Sequence, residues 1–146
     1  MDYKIEWIKV SREGRISGGS KDGVYVSHTQ SAAKSGKMQL QTQIRFGIDV
    51  MKRMRFLIGD RVALGFVTIE GEKCLAVRRV TDGGGYALSN PKVKELRGTN
   101  KSHGVVKMKR LDMPSGDASL AHCVVADEIL FVPFSQIKKA PQHDRA

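Results

Sequence analysis

Lys52-Arg53-Met54-Arg55 puts three cations into four positions, and all three lie away from the apolar stripe Val50, Met51, Met54, Leu57, Ile58. Such a helix face has two readings. It grips an anion, phosphate above all, or it is simply the wet side of a helix. A second set alternates along 38–46, where Gln39, Gln41, Gln43 and Arg45 share one side of a strand. Glutamine pairs with adenine and arginine with guanine, so this ribbon suits a DNA major groove; the plainer reading is a solvated face. A third set, Lys107, Lys109 and Arg110, ends a basic segment. Phe56 lies off the stripe between basic neighbours, placed to stack on a base or, as we prefer, to pack on a neighbouring strand or subunit.

Catalytic arrangements are harder to find. His122-Cys123 comes nearest to a nucleophile and base, but neighbours in a strand face opposite ways. His28, His103 and His143 fall in loop or tail contexts, and no GxxxxGK[ST] phosphate cradle is present. "GGSKDG" and "DGGGY" read as turns, and Asp127-Glu128 as a strand break rather than a carboxylate pair. Cys74 and Cys123 have no CxxC or HxxxH companions, so the expectation is reduced core thiols with no metal site and no cofactor. We therefore expect a binding protein rather than an enzyme.

Charge supports that expectation. The 146 residues carry a net charge of +10, and a surface this positive attracts polyanions. The charge is polarised. Residues 92–110 hold Lys92, Lys94, Arg97, Lys101, Lys107, Lys109 and Arg110 against Glu95, whereas 111–137 hold no Lys or Arg. The start "MDYKIEWIKV" lacks the apolar core of a signal peptide, and no run is apolar enough for a membrane helix. A cytoplasmic protein with no membrane partner is the expectation.

The elements that must position these groups are mostly strands. "YKIEWIKVS" (3–11) reads as an end strand, "VYVS" (24–27) as a short one, and "HTQSAAKSG" (28–36) as a loop. Residues 37–46 alternate cleanly, with Met38, Leu40, Thr42, Ile44 and Phe46 on the buried side. A helix over about 48–58 follows, with Asp49 in its first turn and Gly59 at its left-handed end. "RVALGFVTI" and "KCLAVRRV" form a hairpin around Glu70-Gly71. Strands at 105–111 and 121–134, the latter broken at Asp127-Glu128, complete the set; Pro133 marks an edge or an ending strand. The class is α+β, mainly β, with small antiparallel sheets or a barrel-like core around one short amphipathic helix. The organisation is an N-terminal strand and loop (1–35), a core (36–89), a basic segment with C-terminal strands (90–137) and a disordered tail (138–146), together making one compact domain.

"GKMQLQTQIRFGIDVMKRMRFLIGDRVALGF" followed by "KCLAVRRV", residues 36–80, resembles the AbrB/MazE-like swapped-hairpin proteins, dimeric bacterial DNA-binding modules. "EGRIS" (13–17) resembles their glycine-arginine lead. The resemblance implies two interlaced chains whose cores form together. It implies DNA contacts from Lys37, Arg45, Lys52, Arg53, Arg55 and Arg15, binding phosphate first and bases second. Double-stranded DNA is the favoured partner, for a regulatory or accessory factor. An acidic protein partner and single-stranded DNA or RNA are the alternatives.

Overall fold

Two long hairpins anchor two sheets in the computed structural model, which describes residues 5–8, 22–32, 36–90 and 93–138. The first hairpin joins β2 (Val24–Ala32) to β3 (Met38–Phe46); the second joins β4 (Arg61–Ile69) to β5 (Glu72–Val80). Glu70 and Gly71 both take positive φ, +51° and +78°, as a two-residue turn matched to strand twist demands. A third hairpin, β9 (Val124–Ala126) and β10 (Ile129–Pro133), turns at Asp127-Glu128, also both left-handed at +54° and +62°. Pro133 closes its strand, where a missing N–H costs the ladder nothing.

With β1 (Glu6–Trp7), β6 (Tyr86–Ala87), β7 (Gly104–Lys109) and β8 (Gly116–Ala118), these strands form two open antiparallel sheets. One has the order β1-β4-β5-β10-β9 with β6 on β4; the other has the order β7-β3-β2-β8. Bridges at Ser89–Val105 and Asp117–Lys138 supplement the ladders. The sheets stay separate and no barrel closes, unlike the barrel-like alternative. A four-residue helix, α2 (Val93–Leu96), interrupts the basic segment. Lys138 pairs its backbone with Asp117 and so extends the ordered chain one residue into the expected tail; residues 139–146 lie outside the described residues.

Between the sheets lies the main core. Val24, Val26, Ile44, Phe46, Val106 and Met108 from one sheet meet Val62, Leu64, Leu75, Val77, Leu130 and Val132 from the other. Val50 and Met51 of α1 (Ile48–Met54) plug the end. All of these are buried within the chain. A smaller cluster lies on the outer side of the first sheet, around Val67, Cys74, Ala76 and Phe131. Gly65 makes it possible. A Cβ there would sit 2.6 Å from both the Glu6 carbonyl oxygen and Ile5 Cγ2, so the missing side chain is the space that lets β1 pack down.

Three expectations are corrected. The strand expected at 24–27 runs to Ala32, because every residue from Val24 to Ala32 has a partner on β3, and pairing overrides a polar local sequence. His28 is accordingly a strand residue, not a loop residue. The helix expected to reach 58 stops at Met54: Arg55 takes the left-handed cap at φ +59°, and Phe56 N–H donates to the Met51 carbonyl. Gly59 is left-handed too, but it serves a separate turn in which Asp60 N–H donates to the Leu57 carbonyl. Met38 and Leu40, expected in the core, are exposed at 58% and 45%: they lie on the part of β3 beyond Gln41, where pairing with β7 has stopped.

Candidate nucleic-acid interface

The β2–β3 hairpin outreaches its own sheet. Pairing with β7 stops at Gln41–Lys109, and pairing with β8 stops at Val26–Gly116. Beyond those points no third strand pairs with the two among the described residues, and they form a two-stranded ribbon. Lys37, Met38, Gln39 and Leu40 on one strand and Thr29 and Gln30 on the other are exposed. No Asp or Glu occurs between Asp22 and Asp49, so the ribbon carries no carboxylate. Its root is clamped. Arg110 N–H donates to the Leu40 carbonyl at 3.2 Å, and Arg110 Nη2 to the Thr29 carbonyl at 3.1 Å. His28 Nε2 lies 2.7 Å from the Met113 carbonyl, which only accepts, so that nitrogen carries the hydrogen. In the neutral ring, Nδ1 then accepts from the Thr42 hydroxyl at 2.9 Å, and Thr42 Oγ1 in turn accepts from Leu111 N–H.

Toward α1 the polar side of β3 is not wet, contrary to the solvated-face reading. Gln41, Gln43 and Arg45 are 8%, 7% and 7% exposed. β3 is an interior strand whose flanking rows close over it, and the Arg45 guanidinium lies 5.0 Å from the Tyr25 ring centroid. Register puts Lys107 and Lys109 beside Gln43 and Gln41 on this same face. Lys109 is exposed, whereas burial lowers the pKa of the half-buried Lys107. Burial, helped by the Arg45 charge, likewise lowers the pKa of His103.

At the other end of β3, α1 presents Lys52, Arg53 and Arg55 to solvent as the stripe implied. None of the three has an ion pair among the described residues. Arg53 and Arg55 do not stand alone. With Arg78 and Arg79 from the end of β5 they line a cleft of about 610 Å³, whose other wall is the β9–β10 turn with Asp127 and Glu128. Met54, Phe56, Val125 and Ile129 supply its apolar lining. The β5 arginines each have partners. Arg79 Nη1 lies 3.6 Å from Asp60 and donates to the Arg55 carbonyl at 3.2 Å, while Arg78 stacks 4.4 Å from the Trp7 ring centroid. Phe56 packs on a strand, as preferred. It is 1% exposed and meets Phe46 edge to face at 6.0 Å, brought inward when the chain reverses at Arg55.

The structure thus separates the expected cations. Lys37 and Arg110 flank the ribbon, Lys107 and Lys109 lie on the sheet face, Arg45 is sunk within that face, and Lys52, Arg53 and Arg55 gather at α1. Arg15 lies outside the described residues. Arg78 and Arg79 were missed; "VRRV" at a strand end was the available signal, but nothing local aims it at α1.

Both cysteines are free. Burial raises the pKa of Cys74, with help from Glu72, and pushes Cys123 up to about 11, with Asp49 and Cys74 adding to the effect. Cys123 sits at the end of a 3-10 turn rather than in a strand, and its thiol donates to the Ser119 carbonyl, not to His122. No helix among the described residues is long and apolar enough to cross a membrane. Comparison of the chain with protein-family models, curated proteins and solved structures finds no match, so the functional reading rests on the geometry.

Proposed function

We propose that this protein binds nucleic acid, double-stranded DNA foremost, as a cytoplasmic regulatory or accessory factor. The observation that carries the reading is the ribbon: two exposed strands, free of carboxylates, projecting past the sheet with Lys37, Gln39, Gln30 and Thr29 outward. A major groove about 12 Å wide admits a two-stranded ribbon, where glutamine and threonine reach base edges. Lys52, Arg53, Arg55, Lys109 and Arg110 then serve the phosphates. The resemblance of residues 36–80 to swapped-hairpin DNA-binding modules points the same way, and with it comes a homodimer. Fluorescence anisotropy of labelled duplex, single-stranded DNA and RNA over a salt series tests the reading. Duplex should bind tightest, with affinity falling steeply as salt rises. Lys52→Ala/Arg53→Ala/Arg55→Ala should flatten the slope by about three ion equivalents, roughly 0.9 for each cation lost from phosphate. An unchanged slope would remove α1 from the interface.

A second reading has its own observation. Exposed Met38 and Leu40 share one face of the ribbon and suit an acidic protein partner docked by apolar contact, charge only steering the encounter. That complex would survive salt and would be lost in Met38→Ser/Leu40→Ser.

A further inference from the structure

We propose that the cleft between the end of α1, the end of β5 and the β9–β10 turn binds a nucleotide, with its phosphate on Arg53 and Arg55 and its base against Met54 and Val125. The inference goes beyond duplex binding and does not depend on it, although the two share Arg53 and Arg55. At about 610 Å³ the cleft falls within the roughly 300–1,000 Å³ of small-molecule sites, and a duplex backbone does not need such an enclosure.

Its lining is divided, and the division argues for a nucleotide over a bare anion. On the α1 side Arg53 and Arg55 are exposed cations with no ion pair among the described residues. Guanidinium forks match phosphate oxygens two at a time. On the facing side Leu130 pairs with Val77, which carries the Asp127-Glu128 turn alongside Arg78 and Arg79. The exposed Glu128 carboxylate there repels a phosphate and accepts from N–H donors, which a base edge offers and an inorganic anion does not. Met54 and Val125, both packed on the core side of the sheet, supply the apolar surface that a planar ring needs. Arg78 and Arg79 are already held, by the Trp7 ring and by Asp60 with the Arg55 carbonyl. They define the wall without having to be ordered by the ligand.

Two sources share this chemistry: a free mononucleotide and the phosphorylated 5′ end of a DNA strand. Titration calorimetry on the full chain with AMP, GMP, adenosine, inorganic phosphate and a short oligonucleotide with or without a 5′-phosphate tests the proposal and separates them. A nucleotide should saturate one site, with adenosine and inorganic phosphate each at least tenfold weaker. Arg53→Ala/Arg55→Ala should weaken it at least tenfold. Thr81→Trp, at an exposed position lining the cleft, should block it while duplex binding persists. A 5′-phosphorylated oligonucleotide that binds more tightly than its unphosphorylated twin, by a margin that Thr81→Trp abolishes, identifies the strand end; equal binding of the two identifies the free nucleotide. Absence of saturable nucleotide binding at millimolar concentration, in protein that still binds duplex, overturns the proposal alone. So does nucleotide binding that Thr81→Trp leaves unchanged. Nucleotide binding without duplex binding overturns only the reading of the ribbon.

Discussion

Arg55 and Phe56 show how one residue's backbone redirects its neighbour's side chain. Had the helix continued, Phe56 would stand among the basic residues; the left-handed Arg55 swings it against Phe46 instead. Phe56→Ala should therefore destabilise the fold by about 3–5 kcal/mol, the usual cost of emptying a buried aromatic site. A denaturant titration checks it, and a loss under 1 kcal/mol would mean that the ring is not a core group. His103 gives a residue-scale pH effect. Burial and Arg45 hold its folded pKa below the ordinary 6.5, so the folded chain binds this proton less readily than the unfolded chain. The stability it confers is present above pH 6.5 and is lost as pH falls through the folded value. Thermal melting from pH 7.5 to 5 should show a decline that His103→Gln makes shallower; parallel curves would remove His103 as its source.

At the scale of elements, the turns are the informative parts. Glu70-Gly71 and Asp127-Glu128 share a conformation but not a chemistry: the first has glycine at its second left-handed position, the second has glutamate. A left-handed non-glycine costs about 1–2 kcal/mol, offset in part by the unfolded-state entropy that glycine adds. Glu128→Gly, creating the favoured Asp-Gly pair, should raise stability by about 0.5–1 kcal/mol, read as a higher urea midpoint at unchanged slope. A lower midpoint would show that the Glu128 side chain stabilises the turn. α1 is the other instructive element. Met54 is only half-buried and lines the cleft, whereas Val50 and Met51 are sealed in the core. A charge at Met51 should therefore abolish folding, and one at Met54 should be tolerated, which corrects the weight the stripe alone assigns to Met54.

For the whole molecule, the decisive fact is that the two hairpins bury their apolar faces against each other inside one chain, Met38 and Leu40 at the ribbon excepted. Each chain can then fold alone, so below the concentration at which the proposed dimer dissociates the midpoint of unfolding should be independent of protein concentration. A midpoint that climbs with concentration would show that the dimer implied by the swapped-hairpin resemblance shares its core between chains.

What could be read from the residues alone was whatever repeats within a few positions. The alternation of 38–46, the Val50–Met51 stripe, the turn at Glu70-Gly71 and the break at Asp127-Glu128 all depend on neighbours no farther than one helical turn or one cross-strand pair. The outward face of Lys52, Arg53 and Arg55 followed from the same stripe. Tertiary structure decided what covers what. The strand character of 28–32 comes from β3, the sinking of Gln41, Gln43 and Arg45 from their flanking strands, and the exposure of Met38 and Leu40 goes with the part of β3 beyond its pairing with β7. The four-arginine cleft exists because the end of β5 lies beside the end of α1, more than twenty residues earlier in the chain. A local pattern records which way a side chain points, but burial and convergence depend on segments distant in the chain that meet only once it has folded.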